Sequence, residues 1–309
     1  MKKLLCVLLL CALLTAGCAA PEPEGLQVLT SFYPMYVFTL NLTAGVEGVT
    51  VKNMALPQTG CLHDYALTTA DMKALAAADL FVVNGAGMEQ FLEKALSERP
   101  ELKVVDTSAG AALLEETAGH SHAHAGEAEG HSHGGVNSHI WMDPQNAAVQ
   151  VENIAAALQA ADPANAAAYE ANKTAYLARI AEAAEEAGAL LADCAGEEVV
   201  AFHESFYYYT EYYGLETAAV LLTDDQNAPS AKEMAGAVDE VERHNIRALL
   251  TDGRAMHSPA EAVAAETGAA VCALSAVLAP DGGEESTAYE RMLVENARAL
   301  RAAIVDRAA

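Results

Sequence analysis

Ten histidines occur in this 309-residue chain, and five of them, His63, His139, His203, His244 and His257, lie outside a single His-rich stretch. Three of the five stand where strands hand over to loops. His203 directly follows the apolar run Val199-Val200-Ala201-Phe202, at the carboxyl end of a predicted strand. His63 comes after a second predicted strand and just before a helix whose start is marked by Thr68 and Thr69. His139 lies two residues before Trp141 and shortly before a helix beginning at Pro144. Ligands of open α/β sheets bind beyond the carboxyl ends of the strands, so these three imidazoles would meet in one crevice if two such sheets faced each other. Imidazole nitrogen is a borderline-soft donor, and three of them make a site of the kind Zn²⁺ prefers, with a carboxylate or water in fourth position. His244, in a helical context, and His257, in a pre-helical one, have no partner motif and read as surface residues.

The elements that must position these side chains follow a βα rhythm. Residues 26–32, 49–55, 79–83 and 102–105 read as strands, and 70–78 and 88–97 as helices. Between Gly119 and Gly135 the periodicity stops, and His120, His122, His124, His131 and His133 sit among Gly, Ala, Ser and Glu, the composition of a loop. A helix from Pro144 to Ala160 follows, then one from Asp162 to about Leu191, rich in Ala, Glu, Lys and Leu, with Pro163 in its first turn. At about 1.5 Å per residue such a helix is roughly 45 Å long, a rigid connector between lobes. The strand–helix rhythm then resumes, with strands at 198–202, 217–222, 248–251 and 270–274, a capping-box pattern at Ser230 and Glu233, and Pro259 at a helix start after Ser258. The expected fold is α/β: two Rossmann-like lobes of about four parallel strands each, residues 26–161 and 195–309, joined by one long helix within 162–194.

Ahead of the first lobe, Lys2 and Lys3 precede an apolar run from Leu4 to Leu14, the pattern of an export signal over residues 1–17. The stretch Leu14-Thr15-Ala16-Gly17-Cys18 resembles the lipobox of bacterial lipoproteins, which implies lipidation of Cys18 after cleavage, with 18–25 as a tether. No later stretch has eighteen uninterrupted apolar residues, so the reading is a chain anchored by lipid to the outer face of the cell membrane rather than embedded in it. With 17 Lys and Arg against 43 Asp and Glu, the net charge of −26 excludes a phosphate-backbone partner and favours cations as ligands. Of the six cysteines, only Cys61, Cys194 and Cys272 remain beyond Cys18, and without a CxxC spacing they indicate neither a disulfide framework nor a thiolate zinc site.

Four ordered motifs carry a family resemblance. Gly60-Cys61-Leu62-His63-Asp64-Tyr65 followed by Asp71, then Asn137-Ser138-His139-Ile140-Trp141-Met142-Asp143-Pro144, then Phe202-His203-Glu204-Ser205-Phe206 with its Tyr run, then Tyr213-Gly214-Leu215, resemble the zinc/manganese solute-binding proteins of ABC transporters, and most closely the zinc-uptake branch. The resemblance runs over nearly the whole chain beyond the leader. It implies two lobes bridged by a rigid helix, a metal ion held between them by His63, His139 and His203, and a monomeric extracytoplasmic receptor that delivers Zn²⁺ to an ABC permease without enzymatic turnover.

Many members of that family carry an Asp after the last strand of the second lobe, where this chain reads Leu274-Ser275-Ala276-Val277. Water, or Asp252 at the end of the preceding strand, is then the expected fourth ligand. A His at 203, where manganese-type relatives usually have a carboxylate, favours zinc over the manganese alternative. The His-rich loop is expected to be an auxiliary, low-affinity zinc-capture segment rather than the principal site. Glu204 is assigned either a ligand-orienting role or that of a helix-start acid, and Cys61 that of a small buried residue. A three-His zinc hydrolase is the rival of a different class, but it needs a general base and no HExxH motif occurs; an adhesin role, which the resemblance also admits, has no signature here.

Overall fold

The computed structural model describes residues 25–55, 65–115, 135–221, 229–252 and 257–306. In the first half, β1 (Leu26–Thr30), β2 (Val49–Asn53), β3 (Leu80–Val83) and β4 (Lys103–Asp106) form a parallel sheet in the order β2-β1-β3-β4. In the second, β5 (Glu198–Ala201), β6 (Glu216–Val220), β7 (Ala248–Thr251) and β8 (Ala270–Ala273) repeat that order as β6-β5-β7-β8, again parallel throughout. The central strands β3 and β7 are buried along their whole length, which is why Leu-Phe-Val-Val and Ala-Leu-Leu-Thr read as unbroken apolar runs.

The helices are α1 (Tyr33–Leu42), α2 (Thr69–Ala77), α3 (Glu93–Ser97), α4 (Pro144–Ala161), α5 (Ala166–Leu191), α6 (Tyr207–Tyr212), α7 (Ala231–His244), α8 (His257–Thr267) and α9 (Ala288–Ile304). The capping box read at Ser230 and Glu233 starts α7, and the helix start expected near Thr68 and Thr69 is a second box, Thr68 with Asp71, at the head of α2. Asp143 caps α4, accepting from Gln145 N at 2.6 Å. Two expectations change. The segment predicted as a helix over 88–97 is a 3-10 turn (Gln90–Leu92) leading into the short α3, and α1 fills a stretch to which the sequence assigned no element, after a strand that ends at Thr30 rather than at residue 32. α1 is apolar on nearly every face, so no amphipathic stripe announces it. Its buried Thr39 and Asn41 return hydrogen bonds to the Met35 and Val37 carbonyls one turn back.

The long helix α5 spans 26 residues, flanked by 3-10 turns at Pro163–Asn165 and Ala192–Cys194. It packs on α4 from the first half and α9 from the second. Tyr169, Tyr176 and Ile180 on α5 lie in one apolar core that also contains Val28 and Leu80 of the first sheet and Val199 and Leu250 of the second. Polar ties reinforce it: Asn172 donates to the Leu42 and Ala44 carbonyls, Arg179 pairs with Glu290, and Arg298 pairs with Glu186. Cys194 and Cys272 are free and buried. No helix among the described residues is long and apolar enough to cross a membrane.

Candidate metal centre

Residues 137–143 thread between the two sheets, and the chain fastens them from both sides. On the first side, Asn84, directly after β3, donates from Nδ2 to the Ser138 carbonyl at 2.9 Å, and Asn137 N donates to the Leu114 carbonyl at 2.9 Å. On the second, the Tyr208 hydroxyl donates to the Asn137 carbonyl at 2.8 Å and accepts from Leu114 N at 2.9 Å. Trp141 Nε1 donates to the Ala276 carbonyl at 2.9 Å, and the Tyr289 hydroxyl donates to the Trp141 carbonyl at 2.8 Å. Every one of these residues except Leu114 is buried, so each bond forms where water would not replace it.

This segment carries His139, which is 1% exposed, against His203, which follows β5 and Phe202. The two rings meet edge to face with centroids 5.2 Å apart. His139 Nδ1 lies 3.1 Å from Asn137 Oδ1 and 3.6 Å from a carboxylate oxygen of the buried Glu204. The Asn137 oxygen accepts only, so this hydrogen bond puts the ring proton on Nδ1 and makes Nε2 the ring's donor atom toward a cation. Asn137 is doubly engaged: its Oδ1 also accepts from His139 N at 3.0 Å, while its Nδ2 donates across to the Glu204 carbonyl at 3.1 Å. Glu204 therefore lies on the Nδ1 side of the His139 ring, the ligand-orienting place that the sequence offered as one of its two readings.

His203 is set differently. Its Nδ1 accepts from Ser205 N at 3.0 Å and so caps the 3-10 turn Glu204–Phe206. A neutral ring in that position carries its proton on Nε2, so an ion binding at Nε2 needs the other tautomer, with the proton on Nδ1 and the cap from Ser205 N given up.

Asp252 follows β7 and is half-buried. Ser275 is locked by Asn296, whose Oδ1 accepts from Ser275 N and whose Nδ2 donates to the Ser275 carbonyl, each at 2.8 Å, while the Ser275 hydroxyl accepts from Val277 N at 3.2 Å. His63 and Cys61, the five histidines from His120 to His133, and Cys18 lie outside the described residues. Among the described residues no group of three or more His, Cys, Asp or Glu is placed to hold a metal ion; the structure brings together two of the three expected imidazoles. His244 ends α7, partly exposed, with Nδ1 2.9 Å from Glu198, and so is a surface residue as expected.

Sequence reasoning missed the residues that hold the ligands rather than touch a metal: Asn137, Asn84 and Tyr208. The available signal was positional. Asn84 follows the run Leu-Phe-Val-Val at a strand's carboxyl end, and Asn137 is two residues from a candidate ligand.

Against known proteins, a family profile described as "Zinc-uptake complex component A periplasmic" matches residues 28–303. A "High-affinity zinc uptake system protein ZnuA" of Bacillus subtilis is 27% identical over 308 residues, covering 96% of this chain and 95% of the relative. A "Zinc-binding lipoprotein AdcA" of Streptococcus pneumoniae is 26% identical over 312 residues, but this chain spans only 61% of that protein's length, and 50% of its Streptococcus pyogenes counterparts. Among solved structures, the solute-binding protein FpvC of Pseudomonas aeruginosa, described in complex with Mn²⁺, superposes with a TM-score of 0.76 at 24% identity, over 92% of this chain and all of that one, a likeness of fold. The paired sheets, the linking helix, the meeting of His139 with His203 and a profile match across nearly the whole described chain agree: this chain belongs to the periplasmic zinc-uptake complex component A family.

Proposed function

We propose that this chain is an extracytoplasmic receptor that captures Zn²⁺ between its lobes and hands it to an ABC permease. The observation that carries the reading is the contact of His139 with His203, one ring from each half of the molecule, with the Nδ1 of His139 already committed to Asn137. Zinc is supported over manganese by two imidazoles at the meeting point, since a manganese site draws more on oxygen donors. His63 is the third ligand, and water, or Asp252, completes a tetrahedron. The zinc-uptake names of the B. subtilis and streptococcal relatives support the same cargo.

Capture and release need no turnover. The imidazoles bind as neutral donors, so protons compete with zinc for them, and binding weakens below about pH 6 as metal-free imidazoles take up protons. Docking on the permease then has only to move one half's ligands relative to the other's. The leader over 1–17 directs export, and lipid on Cys18 holds the receptor at the membrane's outer face, a reading supported by the lipoprotein name of the S. pneumoniae relative. The protein works as a monomer, with lobes over 26–161 and 195–309 and the connecting helix within 162–194. The loop over 119–135 supplies weaker, auxiliary sites at His120, His122, His124, His131 and His133.

Metal analysis of protein purified without added ions, followed by competitive Zn²⁺ and Mn²⁺ titration, tests this reading. One tightly bound zinc per chain is expected, with large losses in His63→Ala, His139→Ala and His203→Ala, a small change in Asp252→Ala, and a tight site that survives deletion of 119–135. Tight manganese with weak zinc would overturn it.

A further inference from the structure

The most unusual charge among the described residues lies away from the two histidines. Glu89 is buried behind the loop that follows β3, and that loop is wrapped around it. One carboxylate oxygen accepts from the Ser31 hydroxyl and from Asn84 N, each at 2.7 Å, and the other accepts from Gly85 N at 3.1 Å. The wrapping takes three successive residues at positive φ, Gly85 at 79°, Ala86 at 52° and Gly87 at 87°, a conformation that costs a non-glycine residue energy. The groups facing the carboxylate are the Ser31 hydroxyl after β1, the Asn84 and Gly85 amides after β3 and, by charge, the Asp106 carboxylate ending β4. None is a cation. Burial pushes the Glu89 carboxyl up to about 7, against the pull of its three hydrogen bonds.

A buried acid with no cationic partner among the described residues is an expensive way to hold a loop. What the loop holds is Asn84. Its carboxamide accepts from Gln150 Nε2 at 2.9 Å, its carbonyl accepts from the Thr107 hydroxyl at 3.0 Å, and its Nδ2 reaches the Ser138 carbonyl, one residue before His139. A chain of buried polar contacts therefore runs from the Glu89 carboxylate through the Asn84 backbone and side chain to the backbone of a candidate ligand. We propose that Glu89 is a positioning residue of the metal centre, holding Asn84 and through it the Ser138–His139 backbone in the geometry that receives the cation, with the arriving dication supplying positive charge that no described neighbour of the carboxylate provides. The inference rests on the zinc-receptor reading above and adds to it a residue that touches no metal.

The test is zinc affinity of the full chain by chelator competition between pH 6 and pH 8.5, for wild type, Glu89→Gln, Asn84→Ala and the double variant, with thermal unfolding of each metal-free protein as the folding control. Each single variant is expected to lose about tenfold to a hundredfold in zinc affinity, the range for residues that orient ligands. The double variant should lose little more than the worse single, because both act on one chain of contacts. In Glu89→Gln the rise of affinity from pH 6 to pH 8 should also be shallower than in wild type, since one ionisation favoured by the cation is gone; a purely structural role would not alter that slope. Should Glu89→Gln fail to fold, Ser31→Ala, which removes one bond to the ionised carboxylate, is expected to move the pH profile upward. A folded Glu89→Gln with wild-type affinity and slope, additive losses in the double variant, or an unmoved profile in Ser31→Ala would overturn the proposal alone. A wild type that binds no zinc would overturn the receptor reading and this proposal together.

Discussion

Asn137 holds His139 by two of its bonds and reaches the far half of the molecule by a third. Replacing it with Ala frees the ring to rotate and removes the acceptor that keeps the proton on Nδ1, so zinc affinity is expected to fall by roughly tenfold to a hundredfold, measured by competitive titration. Asn137→Asp keeps the acceptor and should recover part of the loss. Glu89 gives a stability prediction of definite sign. Its folded value of about 7 lies above the ordinary 4.5, so the protonated form contributes stability that is fully present below about pH 4.5 and is lost as the pH rises through about 7. Metal-free wild type should therefore lose more stability between pH 5 and pH 8 than Glu89→Gln does, by an amount on the order of a few kcal/mol, read from denaturant titrations at each pH. Equal pH dependence in the two proteins would contradict the placement of that charge. His139 and His203, which the structure brings together, stood out in the sequence because the residues around each are local: an apolar strand before His203, and a Trp and a Pro-started helix just after His139. Their holders did not, because Asn84 and Ser138 are 54 residues apart and nothing local marks the contact.

At the scale of elements, parallel strands announce themselves. Buried on both faces, β3 and β7 become apolar runs, and the capped starts of α2 and α7 were equally readable. α1 was not, since a helix enclosed by a sheet, α4 and α5 has no polar face to set a period. The loop after β3 is an element whose sequence has to be what it is. A Cβ on Gly85, at φ 79°, would collide with the Asp106 carboxylate and the Ser108 hydroxyl. Gly85→Ala is thus expected to destabilise the metal-free protein by more than about 1 kcal/mol in chemical denaturation. Tyr208→Phe tests the opposite side of the His139 segment. It removes the hydroxyl shared by Leu114 N and the Asn137 carbonyl and should cost about 1–3 kcal/mol, with a matching loss of zinc affinity if the segment is held as described.

The two halves are joined where they meet: a common apolar core and the bond from Trp141 to Ala276 run between them, and ion pairs tie the linking helix α5 to α9. A ligand held by both halves stabilises such a protein as a unit. At a free zinc concentration a hundred times its dissociation constant, unfolding should become about 2.7 kcal/mol less favourable. Wild type should show that rise and lose it on chelation, while His139→Ala should melt at the same temperature with or without zinc. The chain contains one tryptophan, and Trp141 is fully buried, hydrogen-bonded to the far half, with its ring centroid 5.2 Å from that of His139. That places a single indole fluorophore beside a proposed ligand of the cargo. Its emission, free of overlapping signals from other indoles, offers a label-free optical readout of filling and emptying, fast enough for stopped-flow mixing.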